Sequence, residues 1–247
     1  RNMLVRGLIV PLRYKASAKS YKEIWTNEGS PLLVHGRKIQ HLLQQSLGID
    51  YAVELGMRYQ TPSIEHALFR LNQEHIKELT VLPLFPQYAT ATTGSVQEKV
   101  MRALGEYPVI PSLRIIKDFP THPKMIDAFC DIANQHSLDT YDHFLFSFHG
   151  LPKKHILKVD KKAWCMKSEN CCQRWQKENH SCYSAQCHAT ATAIAQQLNL
   201  PRERYTLCFQ SRLGRDPWLQ PYTLETIKAL ANAKKKKILV FCPSFVC

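Results

Sequence analysis

Residues 144–152 read Phe144-Leu145-Phe146-Ser147-Phe148-His149-Gly150-Leu151-Pro152, an apolar run that ends in one imidazole and a glycine. A continuous apolar run of this length is typical of a strand that is buried on both faces of a parallel sheet. In open parallel sheets, ligands bind beyond the carboxyl ends of the strands. The stretch therefore predicts a buried strand that presents His149 to a ligand. Imidazole binds metals or transfers protons near neutral pH, and a structural, hydrogen-bonded histidine is the alternative.

Apolar runs alternate with segments of helical spacing on both sides of this stretch. We expect strands at 4–12, 52–55, 79–85, 143–148, 205–209 and 238–241, and helices at 37–47, 63–71, 125–135, 187–198 and 223–233. In the helix at 63–71, Ser63 is the expected N-cap. Strand–helix alternation predicts an α/β fold with parallel sheets.

A weak internal repeat relates the two halves of the chain. Similar residues recur at one constant separation, pairing Thr61 with Pro221, Ile64 with Leu224, Glu65 with Glu225, Leu79 with Leu239, Pro83 with Pro243, and Phe85 with Phe245. The repeat predicts two similar Rossmann-like, three-layer domains, at 1–120 and 121–247, with a ligand cleft between them. The boundary is expected where two prolines interrupt the pattern, at 119–123.

The bulk composition is that of a globular protein, with 45% hydrophobic and 21% charged residues. No run of about 18 apolar residues is present, and the first residues lack the apolar stretch of a secretory signal. We therefore expect a cytoplasmic protein. Because the sequence stops directly after a strand-like segment, we also expect that the chain is a fragment.

The formal net charge of +13 favours acidic partners. Anionic lipid and a carboxylate-bearing ligand are candidates, and a basic surface that serves only solubility is the alternative. No motif typical of nucleic-acid binding occurs, so nucleic acid is not expected as a partner.

Two further segments place polar side chains and turn residues after predicted strands. The first reads Leu84-Phe85-Pro86-Gln87-Tyr88-Ala89-Thr90-Ala91-Thr92-Thr93-Gly94-Ser95, and the second reads Phe209-Gln210-Ser211-Arg212-Leu213-Gly214-Arg215-Asp216-Pro217-Trp218-Leu219-Gln220-Pro221-Tyr222-Thr223. The hydroxyl groups of the first can hydrogen-bond carboxylates, and the second supplies two cations and an aromatic plane. Taken singly, each is a plausible structural loop.

Taken in order, these segments resemble the ferrochelatases. The matching motifs are His-Gly-Leu-Pro after an apolar strand, Pro-Gln-Tyr-x-x-x-Thr-Thr-Gly-Ser, and Gln-Ser-Arg-x-Gly-x-x-x-Trp-Leu-x-Pro-Tyr-Thr, and the closing 243–246 segment is similar to the last motif of that family. The resemblance covers residues 8–247. It implies chelatase-type domains that clasp a porphyrin, and insertion of Fe²⁺ into protoporphyrin IX or coproporphyrin III with release of two protons.

The resemblance also implies roles for individual residues. His149 matches the active-site histidine, which accepts pyrrole protons, binds the incoming iron, or does both. The implied porphyrin-binding positions are Arg13, Ser30, Arg58, Tyr88, Ser95, Gln210, Ser211 and Trp218. For Arg58 and Trp218, structural support of the cleft is the alternative. The family's opening glycine-rich loop and its catalytic glutamate beyond the last motif have no counterpart here. The resemblance therefore implies that the chain is truncated at both ends, and we expect the chain as given to be inactive.

Five of the nine cysteines lie within 165–187, where they are Cys165, Cys171, Cys172, Cys182 and Cys187. Cysteines this close predict an iron–sulfur or tetrahedral zinc centre, with free thiols as the alternative. Many ferrochelatases contain a [2Fe-2S] cluster, so the resemblance favours that cofactor in a Cys-rich insertion at 158–187. The implied ligands are the first four of these cysteines, with Cys187 in reserve. The other cysteines are expected to be small buried residues.

Two other functions remain open at this point. One is a chelatase for another tetrapyrrole or another metal. The other is a haem-binding or iron–sulfur sensor related to the chelatases. The expected partners are porphyrin and ferrous iron, and the basic surface is compatible with peripheral contact to the inner membrane.

Overall fold

The computed structural model describes residues 14, 18, 19, 21–161, 163–168 and 170–246. Contacts divide the chain into two compact units, the first ending at Ile76 and the second running from Lys77 to Val246. The strand expected at 4–12, Arg13 and Cys247 lie outside the described residues. The division into domains at residue 120 stays a prediction.

The first unit contains helix α1 (Pro31–Leu47) and helix α2 (Ile64–Gln73). The predicted N-cap of α2 is confirmed, because Ser63 Oγ accepts a hydrogen bond of 3.1 Å from the His66 amide. The strand predicted at 52–55 is wrong. There the amide of Val53 donates to Gln44 Oε1 at 2.9 Å, and its carbonyl accepts from Gln40 Nε2 at 2.8 Å, so side chains of α1 replace a strand partner.

The second unit is an α/β assembly built on parallel sheets. Its elements are β1 (Glu78–Val81), α3 (Ser95–Leu104), β2 (Ser112–Ile115), α4 (Pro123–Ala133), β3 (His143–His149), α5 (Lys153–Val159), α6 (Tyr183–Gln197), β4 (Tyr205–Gln210), α7 (Thr223–Asn232) and β5 (Ile238–Phe241). β1 pairs with β2, and β3 lies between β4 and β5, with every pairing parallel. The predicted α/β class with parallel sheets is confirmed.

Several boundaries differ from the expected ones. β1 ends at Val81 instead of residue 85, and Pro83, two residues later, has no N–H to donate to a ladder. Helix α6 begins at Tyr183 instead of residue 187. Its first turn was not predicted because Ser184 and Gln186 are polar, although both are buried in the structure. Strand β2 and helix α5 are not among the elements predicted from the sequence.

The core of the second unit surrounds β3. The side chains of Phe144, Phe146 and Phe148 are fully buried, and the ring of Phe146 stacks on that of Phe241 at a centroid distance of 4.8 Å. Helices α4 and α6 supply Cys130 and Ile194 to the same cluster. This packing holds β3 along its length and leaves only its last residue, His149, partly exposed.

The local order of the predicted repeat recurs in both halves. The amide of Met57 donates to the carbonyl of Pro62 at 2.7 Å. In the same way, the amide of Phe209 donates to the carbonyl of Pro221 at 2.8 Å. A ten-residue helix follows each proline, α2 in the first case and α7 in the second, and then a four-residue strand. The sequence separation between β1 and β5 equals that of the predicted repeat, whereas the separation between α2 and α7 is one residue shorter.

Candidate active site

His149 ends β3, and its imidazole is half-buried. The ring Nδ1 lies 2.8 Å from the carbonyl oxygen of Gly150. Because a carbonyl only accepts hydrogen bonds, this contact assigns the proton of the neutral ring to Nδ1. The lone pair of Nε2 is then available to accept a proton or to bind a metal.

Two hydroxyl groups hold the main chain of His149. Its amide donates to Ser244 Oγ at 2.9 Å, and its carbonyl accepts from Tyr183 Oη at 2.8 Å. The two hydroxyl oxygens are 3.1 Å apart. Since the one proton of Tyr183 is directed to the carbonyl, Ser244 is the donor between the hydroxyls. The three bonds therefore form a closed ring that begins and ends on the main chain of His149.

This ring lies where a strand pairing stops. β5 follows β3 only as far as the pair Phe146–Phe241. In the described part of the chain, the main chain of His149 has no strand partner on the side of β5. The hydroxyls of Tyr183 and Ser244 make the hydrogen bonds that a strand would otherwise make there. Buried main-chain groups need such partners, which explains why two polar side chains are buried here.

Because Gly150 has no side chain, the segment that carries Gln210 and Trp218 can approach His149. Its amide donates to the Gln210 carbonyl at 2.8 Å, and an added Cβ would lie 2.8 Å from that oxygen and 3.2 Å from Trp218 Cε3. The Leu219 amide also donates to the carbonyl of Leu151 at 2.9 Å. The predicted site residues Gln210 and Trp218 are therefore brought beside the turn that follows His149.

Hydrogen bonds to helix α6 hold the Pro-Gln-Tyr segment in place. Gln87 Nε2 donates to Thr190 Oγ1 at 2.9 Å and to the Pro243 carbonyl at 3.2 Å. The amide of Tyr88 donates to Gln186 Oε1 at 2.6 Å. The motif segment that carries Tyr88 is thus linked to α6 and to the residues that follow β5.

The remaining predicted pocket residues have varied surroundings. Ser95 opens α3, and its hydroxyl donates to the Thr92 carbonyl at 3.0 Å. Ser211 is exposed and has a φ of 67°. In the first unit, Ser30 precedes α1, and the Arg58 guanidinium lies 4.7 Å from the centroid of the Tyr59 ring. Their roles in binding stay predictions.

Trp218 combines burial with an unpaired polar atom. The residue is 9% exposed, and its indole N–H has no hydrogen-bond partner among the described residues. Buried Trp N–H groups usually find an acceptor. The indole N–H is therefore an exception to this rule among the described residues, and the role of Trp218 in binding stays a prediction.

The cysteine-rich segment brings sulfur atoms into contact in pairs. Cys171 Sγ lies 3.4 Å from Cys172 Sγ, which lies 3.9 Å from Cys182 Sγ, and Cys165 hydrogen-bonds Cys182. All described cysteines are free thiols. Burial raises the pKa of Cys165 to about 11, and a hydrogen bond with Cys182 together with burial raises the pKa of Cys172.

These sulfurs suit a metal–thiolate centre in their chemistry and in their pairwise distances, but not in their arrangement around one ion. Two thiolates bound to one tetrahedral metal at 2.3 Å lie about 3.8 Å apart, close to both measured sulfur–sulfur distances. No group of three or more His, Cys, Asp or Glu side chains surrounds a position for a metal ion in the described ranges. The donor set is therefore suitable, while the thiols contact one another in pairs and enclose no ion.

The other cysteines are only partly as expected. Cys130 and Cys208 are buried, but Cys242, predicted to be buried, is exposed because it follows the last residue of the edge strand β5. Cys187, the reserve ligand, is buried and hydrogen-bonds Tyr183.

The family model described as Ferrochelatase matches residues 1–247. The chain belongs to the ferrochelatase family. It is an enzyme that inserts ferrous iron into a porphyrin in haem biosynthesis, and neither the sensor nor another chelatase is favoured. No helix in the described part of the chain has the length and apolar character needed to cross a membrane.

Three bacterial relatives, each named "Ferrochelatase", support this membership. The chain is 45% identical to the protein of Legionella pneumophila (strain Paris), with 100% of the chain and 72% of the relative covered. It is 42% identical to that of Bdellovibrio bacteriovorus, with 98% and 72% covered. It is also 42% identical to that of Coxiella burnetii (strain RSA 493), with 99% and 68% covered.

Two residues that hold His149 were not predicted from the sequence. Ser244 lies in the closing motif, and extending the register of β5 by three residues would have placed it opposite His149. Tyr183 had no comparable signal, because its contact with His149 joins residues 34 positions apart.

Proposed function

We propose that His149 Nε2 acts directly in metal insertion. Two pyrrole N–H bonds break and two protons leave as Fe²⁺ bonds to the four porphyrin nitrogens. The Nδ1 contact of 2.8 Å with the Gly150 carbonyl carries the proposal, because it leaves Nε2 as the basic atom. A neutral imidazole suits acceptance of a pyrrole proton and transient binding of the incoming ion.

We propose that the porphyrin lies beside the turn that follows His149. Trp218 packs against Gly150 and has a buried indole N–H without a partner among the described residues, and Gln210 adds an amide at the end of β4. The motif resemblance also implies porphyrin-binding roles for Arg13, Ser30, Arg58, Tyr88, Ser95 and Ser211. Cations and hydroxyls in this set suit porphyrin carboxylates. The substrate is protoporphyrin IX or coproporphyrin III.

An anaerobic insertion assay tests this function. We expect the complete protein to convert Fe²⁺ and at least one of the two porphyrins to haem, measured by the visible spectrum of the product against heat-denatured protein. The rate with Fe²⁺ should exceed that with Co²⁺. Faster insertion of Co²⁺ would contradict the proposed metal substrate, and tight porphyrin binding without insertion would instead support a sensor.

We propose further that Cys165, Cys171, Cys172 and Cys182 hold a [2Fe-2S] cluster, with Cys187 in reserve. The proposal is supported by the paired sulfur contacts and by a donor set that consists of thiols alone. When bound, the cluster would supply a metal–thiolate cross-link within 158–187. Metal insertion is not a redox reaction, so the chemistry requires no electron from this group.

We propose a cytoplasmic location with peripheral contact to the inner membrane. The formal charge of +13 supports it, together with the exposed lysines 234–237. Each lysine near an anionic bilayer contributes about 1 kcal/mol to binding.

Vesicle sedimentation tests this contact. We expect the protein to sediment with anionic phospholipid vesicles at low salt and to be released near 1 M salt, where the screening length falls to about 3 Å. Vesicles of zwitterionic lipid are the control. A protein that stays in the supernatant with anionic vesicles at low salt has no such contact.

A further inference from the structure

We propose that Tyr183 and Ser244 are positioning residues for His149. Their hydroxyls complete the closed ring of hydrogen bonds on its main chain and so determine where Nε2 is presented to the substrate. The inference rests on the proposed role of His149 and adds two residues to it. Neither hydroxyl contacts the imidazole in the described structure, so both act through the peptide groups.

The peptide group between His149 and Gly150 is held at both ends. Its oxygen accepts from Tyr183 Oη at 2.8 Å, and its N–H donates to the Gln210 carbonyl at 2.8 Å. The next carbonyl, that of Gly150, receives the Nδ1 proton. Rotation of the first peptide would therefore move the acceptor on which the tautomer of the ring depends.

The peptide group before His149 is held by Ser244. Its N–H donates to Ser244 Oγ, which in turn donates to Tyr183 Oη, so loss of either hydroxyl opens the whole ring. Ser244 and Tyr183 are 5% and 6% exposed. Hydrogen bonds in such surroundings strengthen one another, and an unpaired member is costly.

The ring joins three separate parts of the chain. Tyr183 opens α6, Ser244 follows β5, and His149 ends β3. A purely structural role would require only that these elements be packed together. The direction of each bond toward the main chain of one proposed catalytic residue is what points to positioning.

Paired variants test the proposal in the complete protein. Tyr183→Phe and Ser244→Ala each remove one hydroxyl, and we expect each to lower kcat by about 10- to 100-fold, the loss typical of a small misplacement of a reacting group. The KM for porphyrin should change by less than about twofold, because the pocket itself is intact. Ser244→Thr keeps a hydroxyl and should recover most of the kcat.

The double variant tests the closed ring. Because either change opens it, Tyr183→Phe combined with Ser244→Ala should lose no more kcat than the worse single variant. Tyr205→Phe removes a hydroxyl from the first residue of β4, at the other end of the same sheet, and should leave kcat unchanged. If Tyr183→Phe does not fold, the comparison of Ser244→Ala with Ser244→Thr decides.

Two results would overturn the positioning role. One is wild-type kcat in Tyr183→Phe or Ser244→Ala, and the other is a double variant whose loss is the product of the single losses. Either result leaves the role of His149 intact if His149→Ala is inactive. An active His149→Ala would instead remove the proposed function on which this inference rests.

Discussion

His149→Ala is expected to lower kcat/KM for iron insertion by about 10²- to 10⁴-fold, the usual contribution of a positioned acid–base group. The Nδ1 atom is committed to the Gly150 carbonyl, so the variant removes the basic Nε2 atom and little else. The main chain at residue 149 keeps its bonds to Tyr183 and Ser244, because alanine has the same peptide groups. The measurement is anaerobic haem formation at several porphyrin concentrations.

The matched control is His136→Ala. His136 is exposed, and its ring packs against Tyr141, ahead of the amino end of β3. This variant should insert iron at the wild-type rate. If His149→Ala keeps its circular dichroism and more than about a tenth of the wild-type kcat/KM, His149 is not the group that acts on the substrate.

Cys172→Ser is expected to remove nearly all cluster iron from protein purified without oxygen. Cys172 is the central sulfur of the described group, in contact with both Cys171 and Cys182. Serine is a poor ligand for iron–sulfur clusters because the ligand that binds these clusters is a thiolate. Iron and acid-labile sulfide per chain measure the effect, and the sulfide separates cluster iron from substrate iron.

Cys130→Ser is the control for this experiment. Cys130 is buried in α4, outside the cysteine-rich segment, and its sulfur hydrogen-bonds the Ile194 carbonyl at 3.9 Å. The change leaves every cysteine of that segment in place, so cluster content should be unchanged. Zinc in place of iron, or a parent protein with neither iron nor sulfide, would contradict the [2Fe-2S] proposal.

The end of β3 could be predicted because its signal is local. Four apolar residues, interrupted only by Ser147, then histidine and glycine, indicate both the buried strand and the point where it presents a side chain. The same reasoning predicted Ser63 as an N-cap, since capping depends on only the next three residues.

The residues that hold the site in place could not be predicted, because their contacts join parts of the chain that are distant in sequence. Tyr183 and Gln186 lie in the first turn of α6, where polar residues made the segment resemble a loop. They are buried because their partners are main-chain groups of His149 and Tyr88. The failed strand at 52–55 has the same cause, since its main-chain partners are glutamine side chains of α1.

The attachment of the Pro-Gln-Tyr segment to α6 has a consequence for the newly made chain. The bond from the Tyr88 amide reaches 98 residues ahead, and that from the Gln87 side chain reaches 103. At a synthesis rate of about 5–20 residues per second, these groups wait about 5–20 s for their partners. During that interval water must satisfy them, so the Gln87 side chain, which is buried in the finished fold, leaves the ribosome hydrated and exposed.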